Sequence, residues 1–211
     1  MDEAVSNGSD HTFELSGGAL CLDFANTWGD RERSEQDHLR GYGDLLAFAF
    51  QAGVLDAAQR SVLELRARRD EEGAKAAFVS ARALRDAIYR LFSSVAAGAS
   101  PSEEDLDRLN RALPDALAGL RIEPVDGDGA GFVWSRAGGV DSLEAPLWPI
   151  VRSAAELLTS GTLGRVRECD GASCTWLFLD QSRNRSRRWC SMETCGNRAK
   201  VRRHYRRSRP E

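Results

Sequence analysis

The 211-residue sequence predicts a mainly α chain with small β-hairpins (α+β), a helical body followed by a compact cysteine- and arginine-rich module. Three observations carry this. Ala77, Ala81, Leu84, Ile88, Leu91 and Val95 recur at steps of four and three, the stripe of an amphipathic helix. Residues 120–125 and 131–136 are two short apolar runs separated by the turn-rich DGDGA, a hairpin pattern. Four of the five cysteines fall in the last 43 residues, in polar, turn-forming contexts. The boundary is expected near residues 161–165, giving a body over 1–163 and a terminal module over 164–211.

Taken in order, residues 1–10 are polar and read as disordered. His11 to Leu15 is expected as a short strand stopped by Gly17-Gly18, and residues 19–28 (ALCLDFANTW) as a buried helix leading into the charged loop GDRERSEQD. A short helix over 44–52 ends at Gly53, and Asp56 N-caps another reaching Arg69. After the striped helix between Gly73 and Gly98, Pro101 and Ser102 open a helix whose inner face is read as Leu106, Leu109, Leu113 and Leu117. The hairpin follows, then a helix over 145–159 with its two prolines near the first turn. Residues 160–164 (SGTLG) read as a flexible joint.

Composition excludes several classes. No apolar run approaches the roughly 18 residues of a membrane span, and the acidic, polar N-terminus lacks a secretory pattern, so a cytoplasmic location is expected. Glycine phosphate loops, serine elbows and His/Glu metal motifs are absent. His11, His38 and His204 stand in no catalytic context. No catalytic residues are therefore assigned, and an enzyme is not expected. The net charge of −3 conceals +8 over residues 165–211 against −11 over the first 164. A basic end on an acidic body is the footprint of a nucleic-acid-binding module joined to something else.

The late cysteines read Cys169-x4-Cys174, fifteen residues, then Cys190-x4-Cys195. Two close pairs at this separation form a zinc-site layout, in which four thiolates complete a tetrahedron and leave no open position for chemistry. One structural Zn²⁺ per chain is expected to supply much of the folding free energy of so small a segment. Trp176, Phe178 and Trp189 would form its small core. Cys21, in apolar LCLDF, reads as a core residue.

Residues 197–207 (NRAKVRRHYRR) make a basic helix on which Val201 and Tyr205 face the zinc core, while Lys200, Arg202, Arg203, Arg206 and Arg207 spread over the other side. Arg183, Arg185, Arg187 and Arg188 add a second basic cluster between the cysteine pairs. Arginine's planar fork suits phosphate or guanine edges. Asn197 and Arg198 complete the candidate contacts, and the sequence leaves open whether they touch DNA or instead cap and brace the module. Asp23, Asn26, Trp28 and Arg31 border or interrupt an apolar segment. They are candidate effector-sensing residues or members of an internal network.

The tetrapeptide Cys195-Gly196-Asn197-Arg198, within RRWCSMETCGNRAKVRRHYRR, resembles the CGNR zinc-finger family. The stretches GGALCLDFANTW and GDLLAFAFQAGVL resemble the body domain that accompanies this finger, described as a stress-induced transcription regulator. The resemblance spans essentially the whole chain. It implies a bacterial, DNA-binding transcription regulator with a treble-clef-like zinc module, and it implies no known ligand. The expected function is zinc-dependent binding of double-stranded DNA by the basic helix. The body would sense an unidentified small-molecule effector or pair the chain as a homodimer. The alternative is a zinc-stabilised protein-interaction or RNA-binding module.

Overall fold

The computed structural model describes residues 11–31, 33–125, 131–136, 140 and 142–208, with the side chains of residues 34, 203, 204 and 206–208 outside that description. The expectations for residues 1–10 and for the 126–130 turn lie outside the described residues. The described chain is mostly helical, with two antiparallel strand pairs. In chain order the elements are α1 (Leu20–Ala25), α2 (Tyr42–Gln51), α3 (Ala57–Arg69), α4 (Glu71–Ala96), α5 (Glu103–Leu117), β1 (Leu120–Pro124), β2 (Phe132–Arg136) and α6 (Trp148–Leu158). They are followed by β3 (Val166–Glu168), β4 (Leu177–Leu179) and α7 (Asn197–Ser208).

Local chemistry sets most boundaries. The Asp44 carboxylate accepts the N–H groups of Arg40 and Gly41 ahead of α2. Asp56 accepts from Gln59 N while its own N–H donates to the Gln59 side chain, a reciprocal cap on α3. Asp70 ends α3 and caps α4 by accepting from Gly73 N. Gly53 and Gly98 adopt the left-handed φ that stops α2 and α4. The helix expected over 145–159 divides into a 3-10 turn, Ala145–Leu147, and α6, each with a proline where no amide donor is needed.

The core forms where α1, α4 and α6 meet, with α2 and α5 around them. On α4 the expected stripe is buried through Leu91, and Val95 packs at its end. On α5 the expected face is corrected: Leu106 and Leu117 are exposed, and Asp105, Leu109 and Ala116 are the buried positions. Small residues let this helix approach its neighbours closely, so Ala116 displaces the larger leucine. The strand expected over 11–15 has no backbone ladder. Phe13 is buried, and the Gln51 side chain pairs with both its N–H and its carbonyl.

The expected flexible joint is also corrected. Residues 163–165 form a 3-10 turn that runs directly into β3, because Val166 and both leucines of β4 are apolar enough to join the body core. The Asn26 side chain then acts as a short strand. It donates to the Leu177 carbonyl (2.8 Å) and accepts from Leu177 N (2.8 Å), fully enclosed. Leu179 N donates to the Gly17 carbonyl, and Thr175 Oγ1 donates to that of Gly29.

Replacing Asn26 with Ala strands both Leu177 backbone groups out of reach of water. A loss of about 2–4 kcal/mol in chemical denaturation is expected, with metal content unchanged. A loss below about 0.5 kcal/mol would show that the pairing does not hold the two parts together.

Candidate metal centre and nucleic-acid interface

β3 and β4 pair antiparallel, with Val166 opposite Leu179. Their connection, residues 169–176, opens with Cys169 and carries Cys174 three residues before β4. The second cysteine pair lies where a five-residue π turn, Met192–Gly196, feeds α7. A cysteine-bearing turn between strands therefore faces a cysteine-bearing helix start, which is the layout of knuckle, hairpin and helix.

The four Sγ atoms lie within 4.8 Å of one another, the one such cluster of metal-capable side chains among the described residues. Cys174 and Cys190 sulfurs are 3.7 Å apart, and Cys190 and Cys195 sulfurs 3.6 Å. Tetrahedral zinc with Zn–S bonds of about 2.3 Å requires edges of about 3.8 Å. The cluster fits the ion. Its chemistry demands one as well: hydrogen bonds from the Cys174 and Cys190 thiols hold Cys169 down at about 2, while those same contacts to the Cys169 sulfur push Cys174 up to about 12 and Cys190 upward too. Of these three sulfurs the site by itself keeps one as thiolate, and a dication would favour ionisation of the other two. Cys190 N donates to Cys169 Sγ (3.3 Å).

The glycines explain the tight fit. A Cβ on Gly171 would stand 3.2 Å from Cys195 Sγ and 3.4 Å from Cys169 Sγ, and one on Gly196 would stand 2.8 Å from Met192 Sδ. Asn197 Nδ2 donates back to the Glu193 carbonyl (3.1 Å), and Arg198 Nη2 donates to Cys195 Sγ (3.7 Å). Cys169, Phe178, Cys190 and Cys195 form a small core, with Cys174, Trp176 and Trp189 packed on it.

The basic residues divide sharply. Arg187 is built in: its guanidinium stacks on Phe178 at 4.4 Å and donates to the carbonyls of Trp189, Cys190 and Ser16. Arg188 pairs with Asp170 (2.7 Å) and lies over Trp189. Buried Asp180 shapes the 181–186 loop by accepting from Ser182 N and Arg187 N. Arg183 and Arg185 are exposed at its tip, and Arg185 takes a left-handed φ of 51°. Lys200 and Arg202 are exposed on α7, and none of these four forms an ion pair among the described residues. Arg202 and Arg198 line a groove of about 300 Å³ that runs from α7 to the 170–174 knuckle. The side chains of Arg203, Arg206 and Arg207 lie outside the described residues.

Val201 and Tyr205, expected to face the zinc core, are instead 53% and 68% exposed. The metal turn ends one helical turn earlier, so α7 is anchored through its start and its length projects outward.

The four candidate sensing residues are all engaged by protein. Asp23 Oδ1 accepts from Gly17 N (2.7 Å), and burial pushes its carboxyl up to about 6. Asn26 pairs with Leu177. Trp28 Nε1 donates to the Arg33 carbonyl. Arg31 bridges Asp86 (3.0 Å) and the Ala25 carbonyl, sandwiched between Trp28 and Tyr89. Sequence reasoning missed the partner of this network: Arg85, wholly buried, makes a bidentate pair with Asp37 (2.6 and 2.9 Å). Its signal was a cation at a helical step within the α4 stripe.

Residues 18–161 match the family model described as "Putative stress-induced transcription regulator" (ABATE), and residues 165–208 match the CGNR zinc finger. These are regulator and zinc-finger families rather than enzyme families. No curated protein gives a significant match to the chain. No helix among the described residues is long and apolar enough to cross a membrane. The finger is a structural zinc site of one ion per chain.

Metal analysis should return one zinc per chain. Because β3 and β4 belong to the body core, Cys174→Ser should leave the Val166 and Leu177 amides protected from hydrogen exchange while α7 and the 181–196 segment lose protection. Native protection of α7 in a metal-free Cys174→Ser protein would contradict a zinc-dependent finger.

Proposed function

We propose, from the chain's membership of the ABATE family of stress-induced transcription regulators and its CGNR finger, that it is a zinc-dependent regulator that binds double-stranded DNA through α7 and the 181–186 loop. The observation that carries this reading is the division among the arginines. Those that the fold needs are consumed by carbonyls, Asp170 and aromatic rings, whereas Arg183, Arg185, Lys200 and Arg202 carry unneutralised charge on one small module. An exposed cation without a carboxylate neighbour costs little in water and is available to a phosphate, whose binding releases counterions. The groove beside Arg198 and Arg202 is of a size to take a phosphodiester. Asn197 and Arg198 act mainly by holding the π turn and the Cys195 thiolate in place, so that the helix meets its target at one angle.

The helical body is the signal-receiving or pairing part of the regulator. It is coupled to the finger by the shared β4 strand, so a change in body packing has a mechanical route to α7. Arg203, Arg206 and Arg207 add three more basic residues to the α7 sequence.

Zinc-loaded full-length protein should bind duplex DNA with a steep salt dependence and a preferred sequence against competitor DNA. Arg202→Ala should lower the slope of log K against log salt by about 1 if it neutralises one phosphate. Arg185→Gly relieves a left-handed backbone and should leave thermal stability equal or slightly higher by about 0.5–1 kcal/mol, yet weaken DNA binding. Unchanged affinity and salt slope in the Arg185→Gly/Arg202→Ala double variant would exclude this surface as the DNA contact.

A further inference from the structure

Asp23, Asn26, Trp28 and Arg31 are all engaged by protein, with only Arg31 Nε buried without a hydrogen bond, and the body offers a second, larger place for a small molecule. A cleft of about 590 Å³ opens between the β1–β2 hairpin, the α2–α3 turn and α6. That volume lies within the ordinary range of ligand pockets. Its apolar wall includes Leu20, Val54, Val133 and two indoles, Trp134 and Trp148, and its polar groups include Arg136, Arg152 and Glu123. These residues arrive from elements far apart in sequence.

The electrostatics of the cleft are unbalanced. Arg136 lies over Trp148 at 3.9 Å and donates to the carbonyls of Ala116 and Ala118, closing the end of α5; no carboxylate is in ion-pair contact with it among the described residues, and Asp115 acts on it only from a distance. Arg152 lies over Trp134 at 5.2 Å. Its buried Nε makes no hydrogen bond of good geometry but faces the half-exposed Glu156 in a 3.3 Å ion pair. Glu123, the acidic group of the lining, is turned to Arg121 at 2.6 Å. Two partly covered guanidiniums, each against an indole face, thus share one cleft of mixed polar and apolar lining. Arg136, partly withdrawn from water and with no carboxylate in ion-pair contact, carries a cost that an anion can relieve, and the indoles favour a flat, apolar body behind that anion.

We infer that this cleft is the body's effector site and that its ligand is an aromatic monocarboxylate, its carboxylate set between Arg136 and Arg152 and its ring against Trp134 and Trp148. The inference is independent of the DNA contacts, since binding to the body is read directly.

Equilibrium dialysis of the zinc-loaded full-length protein with 2-naphthoate and with its neutral amide tests it. The acid should bind with a Kd of about 1 mM or tighter, and the amide about tenfold more weakly or worse, because it forfeits the charge-assisted bonds. Arg136→Gln and Arg152→Gln should each reduce acid binding about tenfold while leaving amide binding nearly unchanged. If either variant fails to fold, Glu123→Gln decides: removing the one carboxylate of the lining should strengthen acid binding about two- to fivefold and leave the amide alone. Equal binding of acid and amide, no saturable binding of the acid, or a Glu123→Gln protein that binds the acid no better would overturn the assignment.

Discussion

β4 is a three-residue strand buried on both faces, and it belongs to two cores at once. Strand side chains alternate, so Leu177 and Leu179 enter the helical body while Phe178 enters the metal module. The period of two makes one short segment the wall of both. Everything beyond it inherits a fixed orientation: the knuckle cysteines leave β3 and enter β4, the π turn closes on them, and α7 leaves the π turn. Asn26 supplies the polar half of this arrangement by pairing both Leu177 backbone groups in a place no water reaches. Burying that amide without partners would be costly, so its exact pairing also selects against other placements of the finger.

Arginine serves three purposes in this chain, and burial separates them. Arg85 is wholly buried and tolerable only because Asp37 meets it with both carboxylate oxygens, while Arg82 adds a further contact to the same acid. Desolvating both charges offsets much of their attraction, yet losing either partner leaves a charge stranded. Arg187 is a neutral-acceptor clamp that gathers three carbonyls from the N-terminal segment and the second knuckle. Arg183, Arg185 and Arg202 remain in water. The guanidinium's five donors in one plane make the first two uses possible, and lysine's point charge would serve neither.

The zinc centre depends on small residues as much as on sulfur. Gly171 and Gly196 let backbone pass where a methyl group would meet a ligand sulfur or Met192. The four residues of the CGNR tetrapeptide have separate physical duties. Cys195 binds the metal, Gly196 permits the close turn, Asn197 returns a hydrogen bond to Glu193, and Arg198 lays positive charge on the thiolate.

Much of this was legible in one dimension because it depends on local rules. The α4 stripe, the caps at Asp56 and Ser102, the hairpin about residue 125 and the spacing of four cysteines are each set by neighbours within a few turns of chain. The zinc ligands were legible for the same reason, since a tetrahedron of thiolates restricts spacing tightly. Pairings between distant segments were not. Asp37 in a charged loop gives no sign that it neutralises Arg85, nor Gln51 that it stands in for a strand beside Phe13. Leu106 and Leu117 look as apolar as Leu109, and only the close approach of α5 to its neighbours placed Ala116 inside. Val201 and Tyr205 sit on the proper side of a helical wheel, but a wheel cannot say how far the metal core extends along the axis. Sequence by itself therefore determined the elements, the metal and the basic character of the terminus. Tertiary structure decided which arginines remain free and how the finger joins the body, because desolvation acts on a group only after chain from elsewhere has covered it.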